Sequence, residues 1–109
     1  RSGGPNGDSA IRKFMEDDAH WFSSFPDDRR SIGGRFENFI FCRQEHLTIL
    51  TESWLREVAE DAGLTIVGRC MPKRETNFPA LIDEAVLAKE LEESPDCPHT
   101  LILEGRKPG

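Results

Sequence analysis

The sequence predicts a small α/β domain, which is better described as α+β when this stretch of chain is judged by itself. Two observations support this class. Residues 51–62 place apolar side chains at helical spacing, and runs rich in aliphatic and β-branched residues follow at 64–70 and 99–104. At 109 residues the chain has room for one modest hydrophobic core. Residues 1–109 are therefore expected to form a single domain or the C-terminal fragment of one.

The first part of the chain mixes turn signals with an apolar segment. Residues 1–7 contain three glycines and a proline, which predicts a flexible leader. Asp8 or Ser9 is the expected N-cap of a first helix that runs to about Ser23. Residues 27–34 then form a polar, exposed loop.

The middle of the chain contains the clearest helix. Aromatic residues at alternating positions favour a short strand, or an extended segment lying on the core, over residues 35–42. Residues 44–50 are either a loop or a turn. Thr51 is the expected N-cap of a helix over residues 51–62. Gly63 then follows as the left-handed residue that ends many helices.

The last third predicts two strands separated by a helix. Residues 64–70 form the first strand, which Gly68 weakens. A loop over residues 72–79 leads into a helix at 80–93, and residues 99–104 form the final strand. The order of elements thus alternates helix and strand toward the C-terminus.

Composition and charge exclude several classes of function. The net charge is -6 and no face carries a basic stripe, so we expect no nucleic-acid partner. No run of 18 apolar residues occurs, so we expect no membrane partner. The three cysteines lie far apart and their number is odd, which argues against a disulfide framework and favours the cytoplasm.

Four segments, taken in order, resemble one family. Residues 4–7 read Gly-Pro-Asn-Gly, and residues 46–63 run from a histidine through a threonine-containing turn to a helix that ends in Ala-Gly. Residues 75–83 follow a predicted strand, and residues 98–108 form a strand that ends in Lys-Pro. Together they resemble the C-terminal part of a class I S-adenosylmethionine-dependent methyltransferase. In that family the first segment is the turn after the fifth strand, and the third is the loop after the sixth.

The resemblance implies the C-terminal portion of a Rossmann-like sheet with packed helices, in which the closing strand runs antiparallel to its neighbours. Three positions depart from the residues usual in the family: Asn6 replaces Asp, Leu64 replaces Phe and Gly105 replaces Ala.

The resemblance also implies a function, which is transfer of a methyl group to a small-molecule acceptor. S-adenosylmethionine is the cofactor of the full-length family, held by a glycine-rich turn and an acidic residue that this sequence lacks. We therefore expect no cofactor on this chain alone and no activity without a cofactor-binding N-terminal half. Association with that half, or a homodimer, is the expected assembly.

Four residues are candidates for the site: His46 from the family resemblance, Trp21 from an aromatic-rich stretch, and Arg35 and Glu75 as isolated charges beside loops. His46 is the candidate catalytic residue, because an imidazole near the acceptor can orient it or take its proton. Trp21, Arg35 and Glu75 are candidates for contacts with the substrate.

Two other functions fit the same residues. A small non-catalytic binding or dimerisation domain would use the open edges of a two-stranded sheet to pair with another chain. A zinc-stabilised module would use the following side chains, whose spacing is poor for zinc: Cys42, His46, Cys97 and His99.

Overall fold

The computed structural model describes residues 1–46, 48–72, 75–82, 84–87 and 96–107. Within these ranges the chain is a mixed α/β fold, which confirms the predicted class at that level. Two 3-10 turns, Ala19–Phe22 and Cys42–Gln44, accompany the regular elements. In chain order these elements are β1 (Ser2–Pro5), α1 (Gly7–Met15), α2 (Ile32–Phe41), α3 (Glu52–Asp61), β2 (Thr65–Cys70), α4 (Glu84–Leu87) and β3 (Thr100–Arg106).

The sheet has three strands in the order β1-β3-β2, and β3 runs antiparallel to both neighbours. The two predicted strands at 64–70 and 99–104 are confirmed as the antiparallel pair β2 and β3. The ladder between them shifts register between Ile66 and Gly68, as a glycine inside a strand often signals. The last strand in sequence is therefore the middle strand in space.

The prediction that residues 1–7 form a flexible leader is wrong. Gly3 of β1 pairs with Ile102 of β3, and a Cβ on Gly3 would lie 2.4 Å from Ile102 Cδ1 and 2.6 Å from the Leu101 carbonyl oxygen. The glycines that read as flexibility in the sequence are instead required where two backbones approach closely.

Replacing Gly3 with alanine tests this correction. Because the new methyl group would meet a backbone oxygen that cannot move aside, we expect Gly3→Ala to lower the free energy of unfolding by about 1–3 kcal/mol. Gly33→Ala is the matched control, since a Cβ there meets nothing within 4 Å and alanine favours the helix. Urea unfolding of both variants gives the comparison, and equal stabilities would restore the flexible leader.

Helix α1 begins and ends elsewhere than predicted. Its N-cap is Asn6, whose Oδ1 accepts a hydrogen bond from Ser9 N at 3.1 Å, rather than Asp8 or Ser9. It stops at Met15, well short of Ser23, and Asp17 soon adopts a left-handed φ of 57°. The predicted single helix is therefore a helix followed by a separate 3-10 turn.

The segment at 35–42 is helical, so the predicted strand is wrong, and the predicted loop at 27–34 ends early. Ser31 caps α2 by accepting a hydrogen bond from Gly34 N at 3.0 Å. Phe36, Phe39 and Ile40 then share one face at helical spacing and pack on the core. Helical spacing explains the aromatic pattern better than alternation does.

Helix α3 is confirmed. The Thr51 hydroxyl accepts a hydrogen bond from Trp54 N at 3.3 Å, and Gly63 has a left-handed φ of 87°. Of the predicted helix at 80–93, α4 covers Glu84–Leu87, and residues 83 and 88–93 lie outside the described residues. Across the described parts of the chain, no helix has the length and apolarity needed to cross a membrane.

The hydrophobic core lies where α1, α2 and the first 3-10 turn meet the sheet. Its centre consists of Ala10, Trp21, Phe22 and Phe39, all at most 5% exposed. In the sheet, Leu101 at the start of β3 is also buried. This aromatic core forms one wall of the candidate site.

Candidate functional site

An open cavity of about 690 Å³ lies between the aromatic core and the β1–β3 side of the sheet. Two histidines, one from the segment after α2 and one from the residue before β3, line it together. Its volume lies within the range of small-molecule sites. The side chains that form its walls are Phe25, Phe39, His46, Ile82, His99 and Ile102.

A tight backbone reversal brings His46 back toward α2. Cys42, Arg43 and Gln44 have φ angles of 45°, 52° and 67°, which are unusual for residues other than glycine. The Arg43 Nε donates to Asp27 Oδ1 at 2.8 Å and ties this reversal to the preceding loop. The reversal therefore determines where the imidazole lies.

The His46 imidazole has one ring nitrogen occupied by the backbone. Its Nδ1 lies 2.7 Å from the Phe39 carbonyl oxygen, and its ring meets the Phe39 ring at 5.7 Å in an edge arrangement. The structure thus places the predicted catalytic residue on the cavity wall.

Trp21 lies behind this wall rather than on it. The Trp21 ring stacks on His99 at 3.9 Å, and its Nε1 donates to the Cys97 carbonyl at 2.8 Å. The His99 Nε2 lies 2.7 Å from the Trp21 carbonyl oxygen in return. Trp21 is 5% exposed, so its observed contacts support His99, and a substrate contact of its own stays a prediction.

Arg35 lines a different and smaller cavity of about 200 Å³, beside Asp27 and Arg29. Its Nη1 donates to the Ala19 carbonyl at 3.1 Å, while its buried Nε has no hydrogen-bond partner among the described residues. The structure therefore does not bring Arg35 into the cavity that His46 lines.

Glu75 also lies outside the His46 cavity. Its Oε1 accepts a hydrogen bond from Met71 N at 2.8 Å and so closes the turn after β2. It lines a third cavity, about 280 Å³ in volume, together with charged residues that include Asp8, Arg12 and Arg69. Its substrate role and that of Arg35 stay predictions.

The most constrained ionisable group in the described structure is one that the sequence did not single out. The carboxylate of Glu104, in the middle of β3, is 0% exposed. It accepts hydrogen bonds at 2.5–3.2 Å from four neighbours on three separate segments. The donors are Arg1 Nη1, Cys70 Sγ, Thr76 Oγ1, Asn77 N and Asn77 Nδ2.

These contacts decide the ionisation of the cluster. Burial alone raises the pKa of Glu104, but the hydrogen bonds from its neighbours outweigh burial and lower the pKa from 4.5 to about 2. Burial, together with the Glu104 carboxylate, raises the pKa of the Cys70 thiol to about 11. Glu104 therefore joins β1, β2 and the loop at 75–78 as an anion, while Cys70 stays a thiol.

The zinc alternative is not supported by the observed positions. Cys97 Sγ lies 3.8 Å from the Ser9 carbonyl oxygen, and Cys42 Sγ lies 4.0 Å from Glu45 Oε2. All three cysteines are unpaired and buried. In the ranges that the structure covers, no three His, Cys, Asp or Glu side chains converge as metal ligands would.

The arrangement as a whole can orient an acceptor and remove a proton from it. Aromatic and aliphatic side chains form much of the cavity wall, and His46 supplies an imidazole nitrogen there. Comparison with known protein families, curated proteins and solved structures found no match to this chain. The resemblance to methyltransferases therefore depends on the residues and strand order of the chain itself.

Proposed function

We propose that this chain forms the C-terminal, substrate-side portion of an S-adenosylmethionine-dependent methyltransferase. The observation that supports this most directly is the strand order. The last strand, β3, lies between β1 and β2 and runs antiparallel to both, as the closing strand of that family does. Residues 4–7 also carry the chain from the end of β1 into α1, at a place that corresponds to the turn after the fifth strand of the family.

In this proposal the cavity beside His46 holds the acceptor. His46 orients the acceptor and takes its proton, while Phe25 and Phe39 form an apolar wall against which the acceptor lies. Glu104 positions the loop at 75–78 and does not contact the acceptor.

The described residues do not form a binding site for the methyl donor, S-adenosylmethionine. The sequence contains no glycine-rich G-x-G-x-x-G turn. A Cβ on Gly4 would lie 2.9 Å from Leu50 Cδ1, and one on Gly7 would lie 3.0 Å from the Leu50 carbonyl oxygen. These glycines make room for protein atoms, so the proposal assigns donor binding to residues outside this sequence.

Calorimetry with S-adenosylhomocysteine tests the proposal. We expect no binding heat with the chain alone, and stoichiometric binding once the chain is extended by the residues encoded before Arg1. Tight binding to the chain alone would contradict the assignment of the donor site to other residues. An extended protein that does not bind would contradict the methyltransferase proposal.

The runner-up is a small non-catalytic dimerisation domain. It is favoured by the outer strands β1 and β2, each of which pairs with β3 on one side only among the described residues. The partner would be a second copy of the chain that adds strands to this sheet. A folded dimer without affinity for S-adenosylhomocysteine, even when extended, would support this function instead.

A further inference from the structure

The hydrogen bond from His46 to the Phe39 carbonyl determines which ring nitrogen can accept a hydrogen bond from a ligand. A carbonyl oxygen only accepts hydrogen bonds, so at 2.7 Å the Nδ1 must carry the proton. Phe39 lies in the last turn of α2, where carbonyl groups lack an intrahelical donor and are available for such a contact. In the neutral imidazole, Nε2 is then a hydrogen-bond acceptor.

The walls of the cavity favour a flat, apolar ligand. The Phe25 ring meets Phe39 edge-on at 4.9 Å and lies 5.8 Å from His99, while Ile82 and Ile102 add aliphatic surface. Rings in such arrangements bind another ring by edge-to-face or offset contact.

The charges around the cavity favour an uncharged ligand. Among the described residues that line the cavity, Arg1 carries a charged side chain. Arg1 Nη1 donates to Glu104 Oε2 at 2.9 Å and to the Glu75 carbonyl oxygen at 2.8 Å. No described carboxylate lines the cavity to attract a cation. Ser2 and Thr100 add hydroxyl groups to the lining, and His46 adds an acceptor nitrogen that can receive a hydrogen bond from an uncharged ligand.

From these three observations we infer that the cavity binds a small, flat, uncharged aromatic molecule that carries one O–H or ring N–H group. That group donates to His46 Nε2, and the ring lies against Phe25 and Phe39. The inference rests on the proposed function, because it names the class of acceptor for the same site.

Nitrogen-detected NMR on the chain itself gives the first test. We expect the His46 imidazole to show a protonated Nδ1 and an unprotonated Nε2. The opposite tautomer would overturn the inference, since Nε2 would then be a donor.

Binding of phenol, compared with toluene, gives the second test. Toluene has the same ring without the hydroxyl group, so we expect phenol to bind about tenfold more tightly, as one hydrogen bond allows, and to shift the Nε2 resonance of His46. His46→Phe keeps a flat ring but removes the acceptor, and should make the two affinities equal. Equal affinities in the unsubstituted chain would overturn the inference.

Two controls keep the outcomes separate. His46→Gln, which retains a hydrogen-bond acceptor, should preserve part of the phenol preference if His46→Phe fails to fold. If the chain does not bind phenol but the extended protein binds S-adenosylhomocysteine, the proposed class of acceptor is wrong and the proposed function still stands. Failure of that extended protein to bind S-adenosylhomocysteine would reject the proposed function instead.

Discussion

Replacing Glu104 with glutamine is expected to lower the free energy of unfolding at pH 7 by about 3 kcal/mol, the cost typical of removing one partner from a buried ion pair. The change removes the carboxylate charge that pairs at 2.9 Å with the Arg1 guanidinium, whose side chain is 8% exposed. It also turns one carboxylate oxygen into an amide donor that faces other donors. Chemical denaturation followed by tryptophan fluorescence measures the loss.

Glu37→Gln is the matched control for this variant. Glu37 also pairs with an arginine, Arg29, at 3.4 Å, but both side chains are more than 40% exposed. Exposed ion pairs contribute little, so we expect a change within about 0.5 kcal/mol. Equal losses in the two variants would show that burial of Glu104 has no special effect.

Glu104→Gln is also expected to change how the free energy of unfolding depends on pH. The pKa of Glu104 is about 2 in the folded protein against an ordinary value of 4.5. The stability that this group contributes is therefore complete above about pH 4.5 and is lost as the pH falls toward 2. The difference between the original chain and Glu104→Gln should shrink over that interval, and a constant difference would contradict the assignment.

Replacing Phe39 with alanine is expected to be as damaging, at about 3–5 kcal/mol. Phe39 is 1% exposed and packs against Trp21 at 5.1 Å and Phe25 at 4.9 Å, so the change leaves a cavity within the core. The same variant removes one wall of the site beside His46. Thermal unfolding should therefore show a large drop in midpoint.

Phe41 offers a control on the same helix. It is 53% exposed, so Phe41→Ala should change stability by less than about 1 kcal/mol. If Phe41→Ala destabilises the chain as much as Phe39→Ala does, α2 does not present the observed face to the core.

Local signals explain which parts of the fold were predictable. Helix α3 carries a capping threonine, helical spacing and a terminal glycine within one short segment, and all three indicate the same element. The aromatic residues of α2 are so few that their spacing fits both the period of a helix and the alternation of a strand. The cap of α2, Ser31, lies among polar residues typical of a loop, which hides the start of the helix in the sequence.

The candidate site was predictable only in part. The order of motifs indicates His46 as a site residue. Its hydrogen bond to the Phe39 carbonyl depends on a left-handed backbone reversal that contains no glycine, so the sequence does not predict it. Glu104 gave no signal, because its donors Arg1 and Thr76 lie 103 and 28 residues away in the chain. Contacts between distant segments leave no periodic pattern in the sequence.

The central position of β3 has a consequence for biosynthesis. Every strand pairing in the described sheet includes residues 100–106, so Ser2–Pro5 and Thr65–Cys70 can form these pairings only after that segment leaves the ribosome. A nascent chain that stalls or is cut before this point exposes two unpaired strands, which are prone to aggregate. Synthesis of residues 100–106 is thus the step that permits the described sheet to assemble.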